Sequence, residues 1–249
     1  MTKAVILSPH RDDAVFSLAM TLFHWRSLSV QVTVENFFTI SDYGPHAIAT
    51  DGKNTSLTPA ISGQREREDH QTIAKINRRI RIRSAGLLDA PLRLEIDNRA
   101  ICNWSDTSDH EAGVNLITGI LKKLDRASAI VAPLGLGNHI DHLTVRAAAI
   151  RTVQSRLLAF YEDLPYATWT SENAILERVR DTEDRLSASL CPATIRSSCS
   201  VYRKRRLVEQ YRTQIQPAEA SAIANFAIKY HGRERIWVPK HSPMWSFLA

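Results

Sequence analysis

Ala4-Val5-Ile6-Leu7-Ser8-Pro9-His10-Arg11-Asp12-Asp13-Ala14 is the stretch whose reading decides the fold. Four consecutive apolar residues, Ala4 to Leu7, are what a strand buried on both faces of a parallel sheet requires. Pro9 ends that run, His10 follows, and two carboxylates stand where a helix is expected to begin. Over residues 13–28, Val15, Leu18, Ala19, Leu22 and Trp25 recur at helical spacing. Strand, polar turn and helix make the first half of a βαβ unit.

The pattern continues outward. Residues 30–40 are β-rich, with Val30, Val32, Val34, Phe37 and Phe38. Residues 41–63 read as a polar loop carrying Gly44-Pro45, Asp51-Gly52 and Pro59, long enough to suggest a functional wall or lid. A charged helix is expected over 64–77, a strand over 81–87, irregular chain over 91–108 and a helix over 110–124. A strand at 129–133, a glycine-bearing turn, a helix at 141–155 and a strand at 157–161 follow. Such alternation implies right-handed crossovers and a mostly parallel sheet flanked by helices, a Rossmann-like α/β fold in one domain over residues 1–249. In the last third we expect a strand at 198–202, helices at 204–214 and 218–230, and a terminal strand at 235–238. The chain shows no repeat and no low-complexity tract.

Bulk properties narrow the class. Of the 249 residues 44% are hydrophobic, enough for a core, and no apolar run approaches the roughly 20 residues that span a bilayer. The N-terminal apolar run is too short for a signal-peptide core, so a cytoplasmic protein is expected. Cys102, Cys191 and Cys199 are odd in number and irregularly spaced, which fits free buried thiols better than a disulfide framework or a CxxC metal site. The formal charge is +6, with clusters at Arg203-Lys204-Arg205-Arg206 and at Arg78-Arg79, Arg81 and Arg83. No aromatic residue is interleaved with them as a base-stacking platform requires. They read as solvated faces, and no nucleic-acid partner is expected.

Two sites carry chemistry, each at the end of an expected strand, where open parallel sheets bind ligands. In the first, one of Asp12 and Asp13 has ordinary work as a helix cap. Two adjacent carboxylates beside His10 nevertheless repel one another, and a divalent cation would relieve that repulsion. The second is His139-Ile140-Asp141-His142. Histidines flanking an aspartate, opposite a His/Asp-Asp site on another strand, offer the three protein ligands that catalytic zinc takes while keeping a position for water.

The pair of motifs resembles the PIG-L/LmbE superfamily of zinc-dependent N-acetylglucosaminyl deacetylases, whose motifs read His-Pro-Asp-Asp-Glu and His-x-Asp-His. Arg65-Glu66-Arg67-Glu68-Asp69 is similar to that family's Arg-x-x-Glu helix. Leu87 to Arg93 and Tyr161 to Tyr166 look like segments of a bacterial subgroup whose first motif is Ser-Pro-His-x-Asp-Asp-Ala. The resemblance covers most of the chain to about Tyr166. It implies that His10, Asp13 and His142 hold zinc, although His and Asp ligands suit another divalent ion such as iron(II) as well. It implies further that Asp12 is the general base for the attacking water, and that His139, oriented by Asp141, stabilises the oxyanion or protonates the leaving amine. Asp141 has a second reading, as the partner that orients an imidazole ligand. Arg65 would reach the substrate, or else serve as an exposed partner of Glu68. Trp104 and Tyr166 would stack on a sugar or fill core and rim positions; His46 and His110 read as surface loop residues.

The implied activity is hydrolysis of an N-acyl, above all N-acetyl, group on a small amino sugar or its conjugate. The alternatives are an acylated non-sugar intermediate of specialised metabolism and a non-catalytic basic binding protein. An oligomer is compatible with the sequence. Three departures stand out: Arg11 replaces the usual proline, Ala14 the glutamate, and Leu18-Ala19 a glycine pair, which bears on the shape of the pocket.

Overall fold

The computed structural model describes residues 2–47, 57–98, 100–103, 107–124, 128–152 and 157–247. Its centre is β1 (Lys3–Ser8), buried from Ala4 onward because it has a parallel neighbour on each side. One neighbour is β2 (Gln31–Ile40), the other β4 (Ala129–Pro133). β3 (Arg81–Leu88) and β5 (Leu158–Tyr161) extend the two flanks in parallel. The sheet has seven strands in the order β3-β2-β1-β4-β5-β7-β6. The chain leaves β1 for β2 on one side and later returns to β4 on the other, so a crevice opens beyond the carboxyl ends of β1 and β4.

Helices cover both faces: α1 (Asp13–Ser27), α2 (Leu57–Ile76), α3 (Ala90–Leu94), α4 (Thr107–Leu121) and α5 (Ile140–Thr152). Then come α6 (Glu172–Leu186), α7 (Val201–Val208) and α8 (Pro217–Asn225). Among the described residues no helix is long and apolar enough to cross a membrane.

α1 is broken at Leu18, whose φ of −129° and ψ of 17° interrupt the helical ladder. Glu234 of β7 (Glu234–Pro239) reaches into the break. Its carboxylate accepts from the backbone N–H of Met20 at 3.0 Å and of Thr21 at 2.8 Å, and from Lys204 Nζ at 2.8 Å. Leu18 and Ala19 are buried in the core and do not line the crevice, so their bulk leaves the pocket's shape alone.

The expected mostly parallel α/β architecture is observed, and the differences lie mainly in the last third. Residues 198–202 are not a strand. Ser200 caps α7, its Oγ accepting from Arg203 N at 3.2 Å, and this cap overrides the weak local β pattern. The strand of this region is β6 (Leu190–Ile195), antiparallel to β7, which in turn runs antiparallel to β5. α6 is unanticipated. α7 stops at Val208 rather than at 214, and after Asn225 a 3₁₀ turn (Phe226–Tyr230) replaces the rest of the helix expected to 230.

α2 begins at Leu57, inside the expected 41–63 loop, of which residues 48–56 lie outside the described chain. Trp104 and residues 153–155 lie outside it too. His46 sits exposed in a turn, whereas His110 belongs to α4 and pairs with Thr144 Oγ1 at 3.0 Å. The three cysteines are free; Cys199 is buried and the other two half-buried. Nor is the 203–206 cluster a solvated face throughout: Lys204 is fully buried against Glu234, while Arg205 and Arg206 pair with Glu209.

Candidate metal and catalytic centre

His10, Asp12 and Asp13 leave the carboxyl end of β1, and His139, Asp141 and His142 follow β4 at the start of α5. The topology brings these two segments together in the crevice. The Asp13 carboxylate lies between two imidazoles: Oδ2 is 3.3 Å from His10 Nδ1 and 3.4 Å from His142 Nε2. Ligand atoms of His10, Asp13 and His142 all fall within 4.8 Å of one another, a group able to hold a metal ion. His10, His139 and Asp141 form a second such group sharing His10.

Each ligand-type side chain is positioned by others. Asp13 Oδ2 also accepts from the backbone N–H of His10 at 2.7 Å. His142 is held through Nδ1 by Asp163 Oδ1 at 2.6 Å. The other Asp163 oxygen accepts from Gly135 N and Leu136 N at 2.8 and 3.0 Å. Anchoring one ring nitrogen on a carboxylate fixes the ring and its tautomer and leaves the second nitrogen for a ligand. His142 Nε2, buried, has no hydrogen-bond partner.

Asp141 does not do what its spacing suggests. Its carboxylate lies near His139 but makes its hydrogen bonds elsewhere: Oδ2 pairs with His10 Nε2 and accepts from Ala90 N, both at 3.0 Å, and Oδ1 accepts from Arg93 Nη2 at 3.0 Å. His139 is held instead by the backbone, its Nδ1 accepting from Asp141 N at 3.1 Å, which assigns the ring proton to Nε2. The physical reason is position. Asp141 lies in the first turn of α5, and its side chain spans to the start of α3. The expected carboxylate-held imidazole is therefore His10, not His139.

Electrostatics follow burial and pairing. Burial opposes a charge on His10 and His142, but the facing carboxylates win. Asp13 and Asp141 raise His10 to about 10, and Asp13 and Asp163 raise His142. Asp13 itself, although burial raises it, is held down at about 2 by His142 and His10. Asp12 goes the other way. Burial raises its pKa, with Asp13 adding to the effect and the Arg65 guanidinium opposing it. His139 is pushed well below the usual imidazole value, by burial and then by the charge on His10, so it stands neutral.

Arg65 is buried rather than an exposed partner of Glu68. Its Nη2 lies 3.5 Å from Asp12 Oδ2, and its Nη1 donates to Ser41 Oγ at 3.0 Å. Glu68 instead accepts from Thr213 N and Oγ1 at 3.0 and 2.6 Å. A cavity of about 280 Å³ opens above this cluster, bordered by His10, Asp12, Asp13, Arg65, His139 and Tyr166 among others. Tyr166 packs edge-on against both His142 and His139, with centroids 5.3 and 6.1 Å away.

Asp163 and Arg93 were not anticipated from the sequence. Both sit in segments, 161–166 and 87–93, whose likeness to the bacterial subgroup is legible, and Asp163 stands at a strand end.

The mostly parallel sheet, with a His/Asp-Asp turn after one central strand and a His-x-Asp-His turn after its neighbour, is the fold that the resemblance to the PIG-L/LmbE superfamily implies. No family model matches the chain. In sequence it is similar to 2'-N-acetylparomamine deacetylase of Streptomyces fradiae, with 26% identity over 168 residues, 66% of this chain and 58% of that protein. The chain thus matches only a little over half the length of that curated relative. Among solved structures it resembles the deacetylase–teicoplanin complex of the teicoplanin biosynthesis pathway, with a TM-score of 0.74 and 19% identity over 97% of this chain and 100% of that one. It also resembles the zinc-inhibited form of teicoplanin deacetylase Orf2, with a TM-score of 0.68 and 21% identity over 95% and 97% of the two chains. At these identities the structural likenesses show the fold.

Proposed function

We propose that the chain is a metal-dependent N-deacetylase that hydrolyses the N-acetyl group of an amino sugar or amino-sugar conjugate. The observation that carries this reading is the Asp13 carboxylate set between His10 and His142, with a second carboxylate of raised pKa, Asp12, on the same cavity. The sequence relative, which is named for removing an acetyl group from an amino sugar, supports the same class of substrate.

The residues fit a divalent cation. The facing carboxylates that raise the pKa of His10 and His142 supply the negative potential that would hold such an ion, and the buried His142 Nε2 has no hydrogen-bond partner. His10, Asp13 and His142 would be its ligands. Zinc suits the two-imidazole, one-carboxylate set, and iron(II) suits the same donors. Such an ion, when bound, supplies a Lewis acid for the amide carbonyl and lowers the pKa of water.

The chain's own groups do the rest. Asp12 takes the proton of the attacking water; its raised pKa brings it nearer the working range of a general base. It then returns that proton to the amine nitrogen as the C–N bond breaks, so water and amide become acetate and amine. Neutral His139, with its proton on Nε2, donates a hydrogen bond to the carbonyl oxygen as that oxygen gains charge. Arg65, beside Asp12, orients the base and limits how far its pKa rises. Tyr166 covers both imidazoles and keeps bulk water from them.

The test is acetate release from a panel of N-acetylated amino sugars by the purified protein, before and after chelation. Metal-dependent release from at least one of them is expected. Release that survives both chelation and Asp12→Asn would contradict the proposal.

A further inference from the structure

Eight large apolar side chains among the described residues are exposed, and two of them, Trp169 and Tyr43, border the candidate catalytic cavity. Trp169 is the more exposed of the two, at 66%. It is not loose. Its ring packs edge-to-face on Tyr166, at 5.7 Å and 81°. Tyr166 is seated in turn against His139, His142 and Gly137, where an added Cβ would come within 2.3 Å of its ring. His139, Tyr166 and Trp169 therefore step outward from the reacting groups in one braced row. A rigid indole whose face is left to solvent at a cavity mouth is a surface on which the apolar face of a pyranose stacks well.

The wall contributed by α8 carries the complementary charge. Glu219 is exposed and borders the same cavity. One of its oxygens, Oε2, caps the helix by accepting from Gln216 N at 2.7 Å; among the described residues no cation pairs with it. Four carboxylates, Asp12, Asp13, Asp89 and Glu219, border the cavity against a single guanidinium, Arg65, which is already tied to Ser41 and close to Asp12. Glu219 is the one of the four left at the solvent rim.

We propose that Trp169, braced by Tyr166, and Glu219 form an outer subsite for the second ring of a two-ring amino-sugar substrate. The ring stacks on the indole while an ammonium on it pairs with the Glu219 carboxylate. The proposal rests on the deacetylase reading for what occupies the inner site, and it adds that the substrate is a cationic two-ring compound rather than a single neutral sugar.

Binding measured without turnover separates the two. Calorimetric titration would use three probes: a one-ring N-acetyl amino sugar, a two-ring N-acetylated compound with a free amine on the second ring, and its congener with hydroxyl in place of that amine. The amine-bearing probe should bind tightest. Trp169→Ala should weaken both two-ring probes about three- to tenfold, the scale of an aromatic stacking contact, and leave the one-ring probe unchanged. Trp169→Phe should restore most of the loss. E219Q should weaken only the amine-bearing probe, by about two- to fivefold, as for an exposed ion pair. Equal binding of all probes to the parent and Trp169→Ala, or an E219Q loss that ignores the amine, would overturn the subsite even if acetate release is normal. Intact binding differences in a protein that releases no acetate would leave the subsite standing and remove the deacetylase reading.

Discussion

The two ends of the sheet make opposite use of charge. At the amino end, a groove of about 1210 Å³ runs beneath the starts of β1, β2 and β3, bordered by basic residues including Arg78, Arg79, Arg81 and Lys123. Those four side chains are exposed. At the carboxyl end the cavity is less than a quarter of that size, yet at its base buried acids and imidazoles face one another: Asp13 with His10 and His142, Asp141 with His10, Asp163 with His142. Size therefore does not mark the site. Burying charges is costly unless they are paired, so a cluster of mutually held acids and imidazoles at a strand end signals chemistry where a larger solvated groove does not.

The contrast predicts that substitutions at the carboxyl end have large effects and those at the amino end almost none. The greatest loss should come from Asp12→Asn, which removes the general base. The rate of acetate release should fall by about 10²–10⁴-fold while bound metal is retained; a loss of less than about tenfold breaks the assignment. Glu234→Ala leaves Lys204 buried without its partner and strips two N–H groups in the α1 break of their acceptor. Chemical denaturation should register a loss of about 3–5 kcal/mol. Asp163→Asn loosens the His142 ring, and metal affinity measured by competition with a chromophoric chelator should drop about 10–100-fold.

Asp69 sharpens the comparison through pH. Burial lifts its carboxyl to about 7, against hydrogen bonds from Tyr211 and Asn36 that favour the charged form. The folded pKa is above the unfolded one, so between the two values the folded protein binds more protons than the unfolded chain, and stability falls as pH rises. The Asp69 contribution should decline from about pH 4 to about pH 7 and stay flat above. Melting temperatures of Asp69→Asn should lack that part of the slope; parallel profiles of the two proteins would refute it. Smallest of all, Arg78→Ala and Arg79→Ala at the other end should change stability by no more than about 0.5 kcal/mol and leave acetate release unchanged.

The same contrast explains what was legible in the sequence. β1 and β4 are central strands, so their apolar runs are unbroken, and His10, Asp13 and His142 stand where those runs end. The direction of a carboxylate was not legible. Asp141 is two residues from His139 and one from His142, yet it reaches His10, because the reach of a first-turn side chain depends on which helix docks opposite it. Asp163 follows β5 as Asp13 follows β1, but one carboxylate at a strand end has too many ordinary uses for its position alone to mark it. α6 had its signal in Ser171 as N-cap with Ile175, Val179, Thr182 and Leu186 buried along one face. The terminal strand expected at 235–238 is β7, whereas β6 was not anticipated: it pairs antiparallel with β7, so no βαβ rhythm announces it.

Calorimetric titration of zinc into metal-free protein tests most directly whether one cation is gripped by residues from both strand ends. The parent chain should bind one equivalent tightly. Asp13→Ala and His142→Ala should each lose that binding although they fold, while His139→Ala keeps it. Equal zinc binding by the parent and Asp13→Ala, or none by the folded parent, would contradict the proposed centre.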